Sequence, residues 1–200
     1  HNFKILKEKA NSNKIMAVVK ADAYGHSAAD IAPVLEQNGA DYFAVSNIDE
    51  GKELRENGIN LPILILGYTP PVNAQELVDY NISQTVYSLE YAQLLNENCK
   101  KLNSKVNIHI KLDTGMSRIG FQATEEDADI CAKIAKLPNL NPEGLFSHFA
   151  TADCADLTRS HAQAELFDKF YTGWHDVALP HKFKMSVGGC PNSCMKQMRQ

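Results

Sequence analysis

Short apolar runs rich in β-branched residues alternate with amphipathic helical patterns along most of the chain. Strands are predicted at residues 15–20, 42–46, 62–66, 84–87, 106–112, 144–149 and 182–187. Helices are predicted at residues 28–38, 50–57, 89–102, 125–136 and 159–171. Because apolar strands joined by helices form right-handed crossovers, this pattern predicts a parallel sheet with helices packed against it.

Three of the predicted helices begin beside a residue that can cap them. Asp49 precedes the helix at 50–57, Ser88 precedes the helix at 89–102, and Thr124 precedes the helix at 125–136. Side chains of these types accept hydrogen bonds from the first free backbone N–H groups of a helix. We therefore predict Asp49, Ser88 and Thr124 as N-terminal caps.

Six consecutive strand–helix units favour an α/β fold of the TIM type, a (β/α)₈ barrel, which needs roughly 250 residues to close. The chain has 200 residues. It is therefore expected to supply six or seven units, and we interpret it as a truncated barrel. An open doubly wound sheet is the alternative architecture. No G-x-G-x-x-G pattern follows the first predicted strand, which disfavours a dinucleotide-binding version of that alternative.

Composition and charge narrow the classes of function. Apolar residues make up 44% and charged residues 22% of the chain, which is typical of a globular protein. The net charge of -4 argues against nucleic acid as a partner, because no basic excess is available to neutralise phosphates. The apolar runs are shorter than the roughly 20 residues that cross a membrane, and no secretory signal is visible. A cytoplasmic protein without a membrane partner is expected.

The five cysteines do not resemble a disulfide framework. Their number is odd, and Cys99, Cys131 and Cys154 are isolated from one another. Reduced thiols in a cytosolic protein are the better interpretation. Cys190 and Cys194 form the one closely spaced pair.

Charged residues stand where several predicted strands end. Lys20 closes the first strand, Lys111 closes the fifth with Arg118 shortly after it, and His148 closes the sixth. Active sites of parallel barrels form at the carboxyl ends of the strands, so these side chains are expected to share one opening. Such a cationic opening suits a phosphate ester or a carboxylate. Taken singly, each residue is more often a solvated rim residue, and Arg118 could simply pair with Asp113.

Three segments carry a resemblance to a known family. Residues 17–26 (AVVKADAYGH) resemble the cofactor-lysine motif of alanine racemases and their serine-racemase relatives. Residues 111–121 (KLDTGMSRIGF) resemble the second signature of the family, and residues 147–153 (SHFATAD) resemble its third. The three segments occur in the family's order and with similar spacing. The resemblance covers about residues 1–166, as the N-terminal barrel domain.

The resemblance implies pyridoxal 5'-phosphate as cofactor, with no metal. Lys20 is implied to form the internal aldimine and to act as the base on one face of the substrate α-carbon. Tyr24 is implied to bind the cofactor phosphate, and Arg118 the ring hydroxyl and the substrate carboxylate. Lys111, carbamylated in many members, is implied to orient Arg118, and His148 to join the hydrogen bonds beneath the ring. The implied substrate is alanine, or serine, for D-alanine and cell-wall synthesis, and full-length members are homodimers.

Residues 167–200 depart from this pattern. The stretch 179–194 resembles the cluster-binding segment of sirohaem sulfite and nitrite reductases, in which two cysteines separated by three residues ligate a [4Fe–4S] cluster. A cluster normally needs four thiolates, and Cys190 and Cys194 provide two, so no cluster is expected. We therefore predict a junction of two families near residues 160–170, followed by a foreign or divergent tail in the slot of a seventh strand.

Three functions follow from these patterns. The first is an amino-acid racemase that interconverts L- and D-alanine, in which this chain lacks the second catalytic base. The second is a non-catalytic barrel that binds pyridoxal phosphate. The third is a fragment of a sirohaem reductase, supported by the residues after Phe167 alone.

Overall fold

The computed structural model describes residues 1–10, 14–173 and 181–185. The strands are β1 Met16–Val18, β2 Tyr42–Val45, β3 Ile63–Ile65, β4 Ile82–Val86, β5 Val106–Asp113, β6 Phe121–Gln122, β7 Leu140–His148 and β8 His181–Met185. The helices are α1 Asn2–Lys9, α2 Lys20–Gly25, α3 Ala28–Gln37, α4 Ile48–Glu56, α5 Ala74–Asp79, α6 Leu89–Lys101, α7 Glu125–Ala135 and α8 Thr158–Gly173, with a 3-10 turn at Pro71–Asn73.

The strands form one parallel sheet in the order β1-β2-β3-β4-β5-β7-β8, with the short β6 paired to β5. Apart from the short β6, each strand lies beside the strand that precedes it in the chain. A doubly wound sheet would reverse direction at a switch point, and this sheet does not. The prediction of six successive units of a TIM-type barrel is therefore confirmed. Strand β8 lies next to β7, and α8 runs through the region where a family junction was predicted.

The two faces of the sheet differ in what they bury, as β5 illustrates. Val106, Ile108, Ile110 and Leu112 belong to the large core between the sheet and the helices. Since side chains alternate along a strand, the intervening His109, Lys111 and Asp113 face the interior of the barrel. A second buried cluster of Tyr42, Leu64 and Phe146, with Met16, Val18 and Leu66 packed on it, fills that interior. The polar side chains of β5 thus face the barrel interior, while its apolar side chains pack against the helices.

Two of the three predicted caps are confirmed. The Ser88 hydroxyl accepts from the backbone N–H of Tyr91, and the Thr124 hydroxyl accepts from that of Asp127. The prediction for Asp49 is wrong, because α4 begins at Ile48, two residues earlier than predicted. Asn47 is the cap, in an extended conformation, and its Oδ1 accepts from the Glu50 N–H at 3.0 Å. Asn47 with Glu50 three residues later is a capping-box spacing that the sequence already carried.

The predicted end of the first strand is also wrong. Pairing stops at Val18, and Lys20 begins α2 instead of closing β1. Inside α2, four consecutive residues take left-handed backbone angles: Ala21 (φ 52°), Asp22 (φ 50°), Ala23 (φ 51°) and Tyr24 (φ 57°). A left-handed conformation costs about 1–2 kcal/mol per residue without glycine, so propensity gives no reason to expect it here.

The sixth barrel strand begins earlier than predicted. β7 starts at Leu140, whereas the sequence prediction starts it at Gly144. Pro142 and Gly144 look like strand breakers, but the register against β5 shifts between Pro142 and Gly144, which leaves Glu143 as a bulge. A side chain at position 144 would overlap the His109 ring, with a Cβ only 2.5 Å from His109 Nδ1. Glycine is therefore required for the close approach of the two strands.

Candidate active site

Lys20 lies at the carboxyl end of β1, two residues after the last paired residue, and its side chain is partly buried. The left-handed turn of α2 follows it directly. The Ala23 N–H donates to the Val19 carbonyl at 2.8 Å, which closes the turn around Lys20. Tyr24 ends the left-handed stretch and is partly buried. The turn therefore fixes the position of the Lys20 backbone at the carboxyl end of β1.

Lys111 enters the barrel from β5 and is only 3% exposed. Its Nζ donates to the Leu112 carbonyl at 2.6 Å and lies 5.3 Å from the centre of the Phe146 ring. Burial lowers the pKa of Lys111 to about 8; the Asp113 carboxylate opposes this shift and the Arg118 guanidinium adds to it. A substantial neutral fraction of this amine is therefore present at mildly alkaline pH.

Asp113 shapes the loop that carries Arg118. Its carboxylate accepts from the backbone N–H groups of Gly115 at 2.9 Å, Ser117 at 3.0 Å and Arg118 at 3.1 Å. Burial alone would raise the pKa of Asp113, but the three N–H donors and Lys111 outweigh it, so the pKa lies below its ordinary value. The contact that Asp113 makes with Arg118 is thus to the backbone, and it turns the loop back toward β5.

His148 lies at the end of β7, and the positive charges of Arg118, Lys111 and Lys20 act on its imidazole. Burial, followed by the charges of Arg118, Lys111 and Lys20 in that order, lowers the pKa of His148 to about 4. The imidazole is therefore neutral near pH 7 and able both to donate and to accept a hydrogen bond. Lys20, Lys111 and His148 stand at or just after the carboxyl ends of β1, β5 and β7 of one parallel sheet, so they lie toward the same end of the barrel.

Gln163 of α8 fastens the loops that follow β5 and β7. This side chain is 3% exposed. Its Nε2 donates to the His148 carbonyl at 3.1 Å and to the Thr114 hydroxyl at 3.4 Å, while its Oε1 accepts from the Ala150 N–H at 2.9 Å. Helix α8 thereby holds the backbone at His148 in place.

Sequence reasoning missed Gln163 and Glu50 as residues of this region. Gln163 carries no motif signal, because its partners lie up to 49 positions away. Glu50 accepts from the Ala21 N–H, 29 positions away, directly after Lys20. The capping-box spacing from Asn47 could have singled out Glu50 as a local helix residue, but not its contact with the Lys20 turn.

No group of three or more His, Cys, Asp or Glu side chains among residues 1–10, 14–173 and 181–185 is arranged to hold a metal ion. In the same part of the chain, no helix combines the length and the apolar character needed to cross a membrane. Cys190 and Cys194 lie outside the described residues.

Comparison with known proteins gives a consistent family. The family model described as alanine racemase, N-terminal domain, matches residues 1–190. Alanine racemase 1 of Clostridium acetobutylicum is 48% identical over 171 residues, which is 86% of this chain and 44% of that protein. The structure of alanine racemase from Clostridium difficile 630 superposes with a TM-score of 0.87 at 39% identity, over 99% of this chain and 52% of that one.

A histidine racemase from Leuconostoc mesenteroides subsp. sake has the same fold, with a TM-score of 0.83 at 28% identity, over 92% of this chain and 49% of that one. The chain spans about half the length of the curated relatives it matches. The match to the family model extends to residue 190. A domain boundary near residues 160–170 stays a prediction.

Proposed function

Since this chain belongs to the alanine racemase family through its N-terminal domain, we propose that it binds pyridoxal phosphate covalently through Lys20, as the cofactor-binding barrel of an amino-acid racemase. The observation that supports the proposal is that Lys20, Lys111 and His148 stand at or just after the carboxyl ends of β1, β5 and β7 in one parallel sheet, with Arg118 in the loop after β5. We also propose that a whole racemase containing this barrel acts on alanine and assembles as a homodimer.

The donor set of the site fits this cofactor. Pyridoxal phosphate presents an aldehyde, a phenolic oxygen and a phosphate, and it needs one amine together with a cationic surrounding. Lys20 supplies the amine at the end of β1, and Arg118, in the loop after β5, supplies positive charge. When bound, the cofactor supplies an electron sink for the charge that develops as the α-proton leaves.

We assign roles to the chain's own side chains as follows. Lys20 Nζ would hold the cofactor, and its amine would take the α-proton on one face. The Arg118 guanidinium pairs with a carboxylate of the substrate, which a planar fork of N–H groups recognises well. Tyr24, four residues after Lys20 on the same turn, donates its hydroxyl to the phosphate. His148 is neutral near pH 7 and acts as a hydrogen-bonding residue beneath the ring.

Lys111 is proposed to be carbamylated. Its pKa of about 8 provides neutral amine at mildly alkaline pH, and that amine attacks the carbon of carbon dioxide and loses one proton. The product carries a negative charge, so it can pair with Arg118, whose positive charge lowers the pKa of the unmodified amine. Intact-mass measurement with and without bicarbonate checks this assignment.

Racemisation requires a base on each face of the α-carbon, and a general acid or base contributes on the order of 10² to 10⁴ in rate. Among the described residues, Lys20 serves one face. We propose that the second base does not come from this 200-residue chain, so the chain alone binds the cofactor with alanine turnover near background. Alanine is the first substrate to test because the curated relatives of Clostridium acetobutylicum and Clostridium novyi, 48% and 46% identical to this chain, are alanine racemases.

Borohydride trapping followed by peptide mapping tests the proposal. Lys20 Nζ condenses with the aldehyde and releases water; borohydride then delivers hydride to the carbon of the C=N bond, and the nitrogen gains a proton. We expect the label on Lys20, loss of the label in Lys20→Ala, and an unchanged label in the control Lys105→Ala, which alters an exposed lysine. Label scattered over surface lysines refutes cofactor binding, and turnover comparable to a full-length racemase refutes the missing base.

A further inference from the structure

Glu50, near the start of α4, bridges two loops at the carboxyl ends of neighbouring strands. Its Oε1 accepts from the Ala21 N–H at 2.9 Å and from the Ser46 hydroxyl at 2.7 Å. Its Oε2 accepts from the Ser46 N–H at 2.7 Å. Ala21 directly follows Lys20, and Ser46 directly follows β2. One carboxylate therefore ties the Lys20 turn to the adjacent unit of the barrel.

The position of Glu50 would ordinarily serve its own helix. In a capping box, the side chain at this position reaches back to the backbone N–H of the cap residue, which here is Asn47. Glu50 reaches one residue further, to Ser46, and across to Ala21. The cap itself is made separately, by Asn47 Oδ1. The carboxylate is therefore directed at the Lys20 turn and not at the end of α4.

The Lys20 turn needs support from outside its own segment. Ala21, Asp22, Ala23 and Tyr24 all have positive φ and carry side chains, so the turn persists only where its surroundings hold it. Asp22 Oδ1 accepts from the Ala28 N–H at 2.7 Å and fastens its far end. Glu50 fastens its near end, one peptide bond from Lys20. Moving this peptide would swing the Cα–Cβ bond of Lys20.

We infer that Glu50 is a positioning residue for Lys20: by holding the Ala21 N–H against the loop after β2, its carboxylate directs Lys20 Nζ into the barrel opening. The inference rests on the proposed role of Lys20. Both carboxylate oxygens are needed, because two backbone N–H groups require acceptors and a glutamine offers one carbonyl oxygen. Glu50→Gln therefore releases either Ala21 or Ser46.

The experiment compares Glu50→Gln with Asn47→Ala. Asn47→Ala removes the cap of the same helix but leaves the Glu50 carboxylate intact, so it matches the loss of stability without the loss of positioning. Both variants are first equilibrated with increasing concentrations of pyridoxal phosphate, each sample is then quenched with borohydride, and label on Lys20 is quantified. Hydrogen exchange of residues 17–27 in the cofactor-free chain provides a second readout, which does not depend on activity.

We expect Glu50→Gln to bind the cofactor on Lys20 about tenfold more weakly than the parent. The amide hydrogens of residues 17–27 should exchange about tenfold faster, because one charge-assisted hydrogen bond is lost. Asn47→Ala should stay within twofold of the parent in both readouts while unfolding at lower urea. Glu50→Asp keeps the charge at shorter reach and, as a milder second variant, should lose about threefold.

Three results bear on the inference differently. Wild-type affinity in both Glu50 variants overturns it. Equal losses in Asn47→Ala and Glu50→Gln also overturn it, because the effect would then follow stability. Failure of the parent chain to be labelled on Lys20 overturns the proposed function itself, which separates that failure from a failure of the Glu50 inference alone.

Discussion

Replacing His148 by glutamine should remove much of the acid sensitivity of the fold. The imidazole is partly buried at the end of β7 and close to Arg118, Lys111 and Lys20, and these surroundings disfavour its protonated form. Glutamine keeps a hydrogen-bonding side chain but does not titrate. The variant therefore isolates the cost of protonating this one residue.

The sign and the size of the effect follow from the pKa of His148, which is about 4 in the fold against 6.5 ordinarily. The folded pKa is the lower one, so the stability is fully present above about pH 6.5 and is lost as the pH falls toward 4. One pKa unit corresponds to about 1.4 kcal/mol, so the full effect is roughly 3 kcal/mol. Between pH 7 and pH 5 the parent should lose about 2 kcal/mol through His148.

Urea unfolding at pH 7 and pH 5 measures this loss. We expect the free energy of unfolding of His148→Gln to fall about 2 kcal/mol less between the two pH values than that of the parent. The control is His161→Gln, which changes an exposed histidine of α8 and should keep the parent's pH dependence. If the parent and His148→Gln lose equal stability, His148 does not lie in the cationic field and the site described above is wrong.

Two further substitutions test the packing behind the site. Gly120→Ala should destabilise the chain by about 3–5 kcal/mol, because φ is +123° and a Cβ would meet the β5 backbone at 2.8–2.9 Å. The control Gly58→Ala, at φ +83° with nothing within 4 Å of the added Cβ, should cost about 1 kcal/mol. Equal urea midpoints for the two variants would contradict this prediction. Arg55→Lys should lower the free energy of unfolding by about 2 kcal/mol, because one ammonium cannot replace a guanidinium that donates to four backbone carbonyls. Thermal unfolding measures this loss, and an unchanged melting temperature would contradict the prediction.

The sequence predicts the frame of the site better than its local backbone. Strand order and the placement of Lys111 and His148 follow from the alternation of apolar runs with helices, since strand ends of a parallel barrel must meet at one face. The turn after Lys20 does not follow, because propensity rules disfavour left-handed angles at Ala21–Tyr24 and the contacts that stabilise them come from Glu50. A feature set by partners distant in sequence leaves no local pattern to detect.

Two carboxylates in the loops that carry Lys20 and Arg118 have their oxygens engaged by hydrogen bonds from those loops. Asp113 directs its oxygens to three backbone N–H groups, and Glu50 directs its oxygens to two N–H groups and a hydroxyl. Each accepts hydrogen bonds from a loop and fixes its shape, so the positive charges of Lys20 and Arg118 still act on His148, whose pKa they lower. An anionic ligand that enters the opening meets a field already assembled by the fold, and its binding requires little rearrangement of these side chains.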